Sequence, residues 1–584
     1  MNPLNGGESR GGSKEMSSPM LLVQEQPCCK AAENNARDPY SRSSKTVTHL
    51  GNSYTRFCEL LTLAEENVAG GDFSAAVGLA QIAARYAFPG RVGLFGSHRL
   101  ERLLLEVGKR IPSAPARSVR HHDENSRNIL HVLSYGRPVG GDSRSVWRWM
   151  QGDHKNQHSV AITTQADVEG IYDVPEVLRQ SAERSGGFLR TLSAPISRPM
   201  EQARELRALC QEMDVVVLHL FPYDIIPVLA LAAGCDSVKT LFVSHSDHTF
   251  WVGASVAHSV VHLRRQSPHF LTKRRGLNPD HSSILPIPLD YSPPSVTPMQ
   301  AKLALGYEPD VVLLLTIASP FKYSAPGQIS FLELVIPVIA RFPQAVLIAV
   351  GPQPDGAWRS ASIQTNGKIV PLGTRWDNDL LYAAADVYLD SVPFSSVTSL
   401  LEAGSHGVPL LGYGVPGAEL GLLGPGSPGL DNAMQLAKDA ESYRMLLARL
   451  ISDPEFRRRS GQRVQAQILS LHTGRNWIDA VRALYAKVER STNRGCLLGN
   501  NDVFEASALN LALVQLYPQM HVRKLIANYI GALPYGSRLS VTWRLYLKGF
   551  DLCFFNLLPP PANVIVGRVG RWAKRVIRRL LRLR

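Results

Sequence analysis

Four polar segments of the chain each follow a run of apolar residues, and each contains residue types that can do chemistry. The segments are Gly140-Gly141-Asp142-Ser143-Arg144, His245-Ser246-Asp247-His248, Ser319-Pro320-Phe321-Lys322-Tyr323 and Ser395-Ser396-Val397-Thr398-Ser399. Imidazole and carboxylate groups accept and donate protons, whereas lysine side chains and helix N-termini attract anions. Together the four segments predict a site that binds an anionic ligand and moves a proton.

The first two segments each allow a functional and a structural interpretation. Gly140 and Gly141 permit a tight turn in a loop that ends at Arg144, and free N–H groups at the start of the helix that follows suit an anionic or sugar ligand. An ordinary strand-to-helix turn is the alternative. His245 and Asp247 are candidates for a general base or a substrate contact, with a local polar network as the alternative. A zinc site is not favoured, because no further ligand follows at recognisable spacing.

The last two segments are typical of phosphate binding. Lys322, in the segment that begins at Ser319, would place a compact positive charge on a diphosphate, and a solvated lysine is the alternative. The segment 396–399 would offer hydroxyl and N–H groups at a helix start. Glu402 lies about one turn further on, where it could accept hydrogen bonds from a ribose diol. The alternative is an N-capped helix with a favourably placed acid.

These segments lie between the elements of an α/β fold. Short β-branched runs occur at 129–135, 159–164, 188–192, 214–220, 239–245 and 259–265, and again at 311–319, 345–351, 368–373, 386–391 and 408–414. Apolar strands that are separated by helices indicate parallel sheets covered on both faces. The Pro-rich stretch 285–298 separates the two blocks. We therefore predict two Rossmann-like domains, 125–298 and 299–490, facing across a cleft at the carboxyl ends of their strands.

Composition restricts the class of protein. The chain has 584 residues, of which 45% are hydrophobic, as expected of a globular protein with two to four domains. Seven cysteines are an odd number and too few for a disulfide framework, which indicates a reducing compartment. Eight basic residues lie between Arg568 and Arg584, and removing them from the net charge of +14 leaves +6 for the rest. The positive charge is therefore local.

The basic tail, residues 564–584, carries apolar residues at helical spacing with arginines and lysines on the opposite side. The apolar residues are Val569, Trp572, Val576, Leu580 and Leu583. A basic amphipathic helix of this kind suits an anionic membrane surface. The alternatives are nonspecific contact with nucleic acid or no partner, and we expect no specific nucleic-acid binding.

The remaining segments are predicted from composition and periodicity. Residues 1–45 are polar and expected to be disordered, 46–115 form a helical module, and 491–584 form a helical extension. The N-terminus has no apolar core behind a basic start, so no secretory signal is expected. The most apolar stretch, 214–234, is interrupted by charged residues and prolines and is not expected to span a membrane. We predict a cytoplasmic protein whose basic tail contacts the inner face of the membrane.

Three stretches resemble the nucleotide-sugar domain of the GT-B glycosyltransferases. They are residues 345–352, 368–394 and the segment LLEAGSHGVPLL at 400–411. The resemblance covers about 128–490, is more specific over 299–490, and is closest to the branch of the protein O-GlcNAc transferases and related bacterial enzymes. It implies a GT-B fold and a UDP-sugar as co-substrate, with no metal or other cofactor. The implied acceptor is a glycan, a lipid-linked molecule or a protein.

The resemblance also implies roles for residues of the four segments. Lys322, with the loop from Ser319, and the N–H groups of Val397, Thr398 and Ser399 after Ser396 would bind the diphosphate, and Glu402 would bind the ribose. The loop of Gly140, Gly141 and Arg144 would lie beside the donor phosphate or the acceptor. His245 or Asp247 would be the base.

One position departs from the pattern of the family. Retaining members of the superfamily typically have a glutamate eight positions before the residue that matches Glu402, and Phe394 stands there in this chain. The pattern therefore favours transfer with inversion of configuration. It also leaves open a non-catalytic interaction protein with a degenerate GT-B fold.

A second alternative is a dinucleotide-dependent oxidoreductase. Residues 412–417 match G-x-G-x-x-G after a strand, and Asp431 lies near the expected distance for an acidic residue. Pro416 inside the match and the lack of a long helix after it disfavour this interpretation.

Overall fold

The computed structural model of the protein describes residues 39–112, 126–138, 140–165, 173–195, 197–324, 329–414, 420–497, 502, 504–517 and 522–552. The predicted basic tail, 564–584, and the predicted disordered residues 1–38 lie outside these ranges. Among the described residues, the polypeptide forms two parallel sheets with helices on both faces. The predicted α/β fold with two Rossmann-like sheets is thereby confirmed.

The first sheet contains seven strands in the described part of the chain. They are β1 (Asn128–Leu133), β2 (Gln157–Ile162), β3 (Leu189–Thr191), β4 (Val215–His219), β5 (Lys239–Ser244), β6 (Ser259–His262) and β7 (Ser282–Ile284). Their order in the sheet is β3-β2-β1-β4-β5-β6-β7, and every pairing is parallel. The connecting helices are α4 (Gly141–Gly152), α5 (Glu176–Arg184), α6 (Pro199–Cys210), α7 (Ile226–Leu231) and α8 (Ser267–Arg275).

The second sheet has six strands among the described residues. They are β8 (Val312–Ile317), β9 (Ala345–Val350), β10 (Ile369–Pro371), β11 (Val387–Leu389), β12 (Leu410–Tyr413) and β13 (Gln435–Ala437), in the order β10-β9-β8-β11-β12-β13. The helices of this domain are α9 (Pro298–Ala304), α10 (Phe331–Arg341), α11 (Gly356–Gln364), α12 (Asp379–Ala384), α13 (Val397–Ser405), α14 (Ala440–Ser452) and α15 (Pro454–His472).

Two groups of helices flank the first sheet. They are α1 (Pro39–Ala69), α2 (Phe73–Ala87) and α3 (His98–Gly108) before it, and α16 (Gly474–Arg490), α17 (Ala508–Leu516), α18 (Val522–Ile530) and α19 (Tyr535–Leu547) after the second domain. Helices α1 and α2 are separated near residue 70, where the Asp72 carboxylate accepts from Ala75 N at 3.0 Å and caps α2. Helix α1 begins at Pro39, before the predicted start at 46. The sequence did not indicate a helix over 39–45, because these residues are polar and carry no apolar repeat.

The helical module and the helical extension, predicted as separate units, form one layer. Helix α18 packs on α2, and α17 packs on α1. This layer covers one face of the first sheet, where Leu130, Val132 and Val216 share its apolar core. The helices before and after the two domains therefore share one apolar core with the first sheet.

Helix α16 crosses back to the first domain. Trp477, Val481 and Tyr485 pack against Ile129 and Val215 on the other face of the first sheet. The predicted boundary at residue 490 therefore differs from the packing, since α16 follows the second domain in sequence but covers the first. Helix α16 therefore connects the second domain in sequence to the first domain in packing.

Candidate active site

Each sheet reverses its strand order at one point, between β1 and β4 and between β8 and β11. Ligands of open α/β sheets bind outside the carboxyl ends of strands at such points. The loops that leave β1, β8 and β11 are the first, third and fourth polar segments of the sequence. Strand β5, beside β4, ends at the segment that contains His245 and Asp247.

The glycine loop of the first domain touches the start of α13 in the second domain. Gly140 precedes α4 with φ of 143°, a backbone conformation that residues with a side chain rarely adopt. A Cβ atom on Gly141 would lie 2.8 Å from Oγ1 of Thr398. The two loops therefore meet across the cleft, and the contact leaves no space for a side chain at position 141.

The start of α13 offers unoccupied backbone donors. Among the described residues, none accepts a hydrogen bond from N–H of Val397, Thr398 or Ser399. The preceding turn is fixed because the Asp390 carboxylate accepts from N–H of Ser396 at 2.9 Å. Free amides at the positive end of a helix bind anions. The structure thus presents a helix start with free backbone donors towards the glycine loop.

Lys322 lies beside this helix start. Its Nζ donates to the Ser395 carbonyl at 3.0 Å and lies 4.8 Å from the ring centre of Phe394. Burial lowers the pKa of Lys322 to about 8, although the nearby Asp390 carboxylate acts in the opposite direction. Ser319, at the start of the same turn, is exposed. The lysine is therefore held next to the free amides, and its charge is sensitive to pH just above neutrality.

The Glu402 carboxylate joins the two domains. Its Oε1 accepts from Nη1 of Arg144 at 2.7 Å and from Nη2 of Arg148 at 2.9 Å, and its Oε2 accepts from the Tyr382 hydroxyl at 3.1 Å. Burial alone would raise the pKa of Glu402, but the two guanidinium groups hold it below the usual range. The structure thus brings together Glu402 and Arg144, which the sequence assigned to separate loops.

Sequence reasoning did not identify Arg148 or Tyr382 as partners of Glu402. Arg144 and Arg148 are four residues apart on α4 and so share one face of that helix. This spacing was the available signal for a paired basic site. No comparable signal exists for Tyr382, since it lies on α12 and meets Glu402 only through helix packing.

The side chains of His245 and Asp247 lie in different environments. Asp247 is buried, accepts from the Ser267 hydroxyl, and lies 3.7 Å from Nε of Arg264 and 3.5 Å from Nδ1 of His248. Burial would raise its pKa, but Arg264 and His248 hold the pKa well below the usual range. Asp247 is therefore a fixed counter-ion in this structure.

His245 retains a free ring nitrogen. Its Nε2 is 2.9 Å from Nδ1 of His219, whereas Nδ1 has no hydrogen-bond partner among the described residues. Asp142, in the glycine loop, interacts electrostatically with His245, while burial lowers the pKa of the imidazole. A neutral imidazole with one free nitrogen at the carboxyl end of a strand has the chemistry of a general base.

Phe394 stands at the position for which the sequence resemblance raised the question of a missing glutamate. The ring is buried, stands 4.8 Å from the His248 ring in an edge-on arrangement, and is 6.0 Å from the Phe321 ring. The residue is thus an apolar contact between the first domain and the Lys322 loop. Asp431, the acidic candidate for a dinucleotide site, forms an ion pair with Arg265 at 2.6 Å.

The described residues contain neither a membrane-spanning helix nor a group of metal ligands. No helix in the described ranges has both the length and the apolar character to cross a membrane. Within those ranges, no three His, Cys, Asp or Glu side chains are grouped in a way that could hold a metal ion.

The sequence matches no protein-family model and no curated protein. Solved structures give weak matches. HepE from Anabaena, in complex with UDP and glucose, is 14% identical over 62% of this chain and 99% of its own, with a TM-score of 0.46. A glycosyltransferase from Rickettsia africae is 12% identical over 63% and 99%, with a TM-score of 0.47.

An O-GlcNAc transferase variant from Thermobaculum terrenum is 14% identical over 76% of this chain and 85% of its own, with a TM-score of 0.44. The structures from Rickettsia africae and Thermobaculum terrenum are named as glycosyltransferases. At such identities the likeness extends to the fold alone. The two-sheet α/β architecture stands on the strand order of the chain itself.

Proposed function

We propose that the protein is a glycosyltransferase that moves a sugar from a nucleoside diphosphate, most simply a UDP-sugar, to a hydroxyl group of an acceptor. The observation that carries the proposal is the contact of Gly141 with Thr398 at the start of α13. It brings the loops at both strand-order reversals to one place, where backbone donors are free. A diphosphate is a ligand that such a place can bind.

Each part of the site has a role in this reaction. Lys322 and the amides of Val397, Thr398 and Ser399 bind the diphosphate and stabilise the charge that develops as it leaves. Oε2 of Glu402 accepts only from Tyr382 among the described residues, so it can still accept a bond from a ribose hydroxyl. Lys322 and the helix start supply positive charge for the leaving group, and we propose transfer without a bound metal.

His245 completes the reaction. Its free Nδ1 takes the proton of the acceptor hydroxyl, the acceptor oxygen bonds to the anomeric carbon, and the bond from that carbon to the diphosphate oxygen breaks. Attack from the face opposite the leaving group inverts the anomeric configuration. The acceptor is a glycan, a lipid-linked molecule or a protein.

A panel of nucleotide sugars tests the proposal, with thermal unfolding and release of UDP as the measurements. Binding of the donor should raise the Tm by mass action, and EDTA should leave the release of UDP unchanged. Lys322→Ala should reduce both signals, whereas Lys438→Ala, at an exposed lysine of the same domain, should not. No shift and no release with any donor would refute the proposal.

The buried Phe394 supports a second candidate, a non-catalytic protein that binds a nucleotide sugar. In that case the same panel gives a thermal shift with one donor, but neither hydrolysis nor transfer follows. The two candidates therefore differ in the release of UDP and not in binding.

We further propose that the C-terminal part of the chain contacts an anionic membrane. Helix α19 exposes an apolar face, in which Trp543, Tyr546 and Leu547 are 59%, 49% and 65% exposed. Aromatic rings on such a face suit the membrane interface, and the basic tail after it supplies charge. Liposomes with anionic lipid should sediment the full chain, and a chain ending at Pro561 should stay in the supernatant.

A further inference from the structure

Four histidines lie side by side in the first sheet, one on or directly after each of the neighbouring strands β2, β1, β4 and β5. We call His158, His131, His219 and His245 the histidine row. Nδ1 of His158 is 3.1 Å from Nε2 of His131, Nδ1 of His131 is 3.1 Å from Nε2 of His219, and Nδ1 of His219 is 2.9 Å from Nε2 of His245. The row is therefore one continuous chain of hydrogen bonds.

The register of the sheet explains why the four rings meet. His131 on β1 lies opposite Val160 on β2 and opposite Val217 on β4. His158 and His219 are each two residues from those positions, so all three side chains are on one face of the sheet. On this face the Trp149 ring lies 5.6 Å from His131 and 6.0 Å from His219.

The row runs from the cleft to a buried carboxylate. His131 and His158 are fully buried, His219 is 3% exposed, and only His245 is partly exposed. At the inner end, Nε2 of His158 is 3.1 Å from the Asp153 carbonyl and 3.4 Å from its Oδ2. Burial would raise the pKa of Asp153, but its bonds from His158 and Asn156 hold the pKa below the usual range.

The inner end fixes the direction of every hydrogen bond. Both acceptors on Asp153 are oxygens, so Nε2 of His158 must donate. A neutral His158 then accepts at Nδ1, which makes Nε2 of His131 a donor. The same argument makes Nε2 of His219 and Nε2 of His245 donors. The free nitrogen of the row is therefore Nδ1 of His245, at the cleft.

We propose that the histidine row positions His245 as the base and relays its proton to the pair of His158 and Asp153. The inference rests on the proposed function. His245 takes the acceptor proton at Nδ1 and gives its Nε2 proton to Nδ1 of His219. His219 gives its Nε2 proton to Nδ1 of His131. His131 then gives its Nε2 proton to Nδ1 of His158. His158 ends with both nitrogens protonated beside the Asp153 carboxylate, and no electrons change hands.

The charges around the row favour this endpoint. Burial holds the pKa values of His131 and His219 well below the usual range, so positive charge does not rest on them. At the cleft, Asp142 faces His245 but is bonded to Arg137. At the inner end, the carboxylate of Asp153 lies against an imidazole directly, which balances the arriving charge.

The inner end has two further neighbours on other elements. The Tyr485 hydroxyl, on α16, donates to Oδ2 of Asp153 at 3.1 Å, and Nε1 of Trp149 donates to that hydroxyl at 2.8 Å. The Arg127 guanidinium lies over the Tyr485 ring at 5.5 Å and is bonded to Glu489. These contacts keep Asp153 in place as the acceptor of the row.

The first test reads the tautomers and needs no activity. Nitrogen-15 NMR of histidine-labelled full-length protein distinguishes a protonated Nε2 from a protonated Nδ1. All four histidines should carry the proton on Nε2 in the wild type, and Asp153→Asn should keep this state, because the carbonyl of residue 153 still accepts from Nε2 of His158. A wild-type row of mixed or opposite tautomers would overturn the inference even if sugar transfer is found.

The second test separates the row from ordinary packing. His131→Phe interrupts the row, and His262→Phe is the matched control, because His262 is also fully buried in the sheet but is bonded to Ser282 outside the row. We expect kcat to fall at least tenfold in His131→Phe with the donor KM within twofold, and His262→Phe to keep its kcat within twofold.

Two outcomes count against the relay. An unchanged kcat in His131→Phe contradicts it, and so does an equal loss of kcat in both phenylalanine variants. Asp153→Asn gives an independent measurement, since it should lower kcat without replacing any histidine. If no sugar transfer occurs with any donor, the proposed function fails, while the NMR spectra still decide whether the row has the inferred tautomers.

Discussion

Nη1 of Arg144 on α4 donates to Oε1 of Glu402 on α13 at 2.7 Å, which links the two domains directly across the cleft. The Glu402 side chain is 13% exposed, and Arg148 binds the same oxygen. A carboxylate with so little access to water depends on its partners for the charge it carries. The two arginines and Glu402 therefore couple the relative position of the domains to the state of the site.

Glu402→Gln should lower the free energy of unfolding by about 3 kcal/mol, because it leaves two partly buried guanidinium groups without a counter-ion. Chemical denaturation measures this change. The matched control is Asp479→Asn, whose partners Arg475 and Arg482 are 91% and 53% exposed, and it should change the stability by less than about 0.5 kcal/mol. Equal effects of the two variants would contradict the importance of the link.

The contribution of Glu402 and its arginine partners to the free energy of unfolding depends on pH. The pKa of Glu402 lies below its usual range, so its contribution to stability is present at neutral pH and is lost as the pH falls through the lowered pKa. Below that point wild type and Glu402→Gln should have the same stability. A difference that persists in strong acid would show that the effect of the variant is not electrostatic.

Gly141→Ala should weaken the binding of UDP by about tenfold, because its Cβ atom would lie 2.8 Å from Oγ1 of Thr398 and force the loops apart. Titration calorimetry measures the affinity. Gly536→Ala, at a glycine with no atom within 4 Å of the added Cβ, should bind UDP normally.

A second substitution relieves the same clash. Thr398→Ala removes Oγ1 and leaves Thr398 Cβ 3.9 Å from the added atom, an ordinary contact. The double variant should therefore bind UDP more tightly than Gly141→Ala alone. Additive losses in the double variant would show that the loops do not meet at this point.

The affinity for UDP should fall about tenfold between pH 7 and pH 9, because Lys322 has a pKa of about 8 and loses its charge over this interval. Lys322→Met should bind more weakly at pH 7 and show little change up to pH 9. Lys438→Ala is the control and should follow the wild type. A pH dependence in Lys322→Met equal to that of the wild type would assign the titration to another group.

Arg207→Met should lower the free energy of unfolding by about 3 kcal/mol. The buried guanidinium on α6 donates to the carbonyls of Ala230, Leu229, Gly108 and Ile111, which lie at the ends of α7 and α3. Removing it takes away a buried donor from each of these carbonyls, of which Gly108 still accepts from Ile111 N–H. Arg204→Met, at an exposed arginine of the same helix, should change the stability by less than about 0.5 kcal/mol.

Most strands were predictable, and the exceptions have a physical reason. Eleven apolar runs matched β1 to β6 and β8 to β12, because buried parallel strands are apolar on both faces. The strands β7 and β13 were missed. Like the predicted strands β3 and β10, each has three residues at an edge of its sheet, but Ser282–Ile284 and Gln435–Ala437 begin with polar residues and carry no distinctive apolar pattern. Their pairing comes from the neighbouring strand and not from local preference.

The candidate site was also predictable in part. The polar segments could be placed, since an apolar strand marks where its carboxyl end must be, and this holds for Lys322 after β8 and Ser396 after β11. The partners of those segments could not be placed. Arg144 and Glu402 are 258 residues apart in sequence, so only the packing of two domains makes them neighbours.

The sequence by itself determined the succession of strands and helices along the chain, the division into two sheets and the loops that reach the cleft, because each depends on patterns within about 30 residues. The tertiary structure decided which of those loops touch and aligned four histidines from 131 to 245 into one row. Their alignment depends on the order β2-β1-β4-β5, which is set by hydrogen bonds between strands that are distant in the chain. No local sequence pattern determines the order of these strands in the sheet.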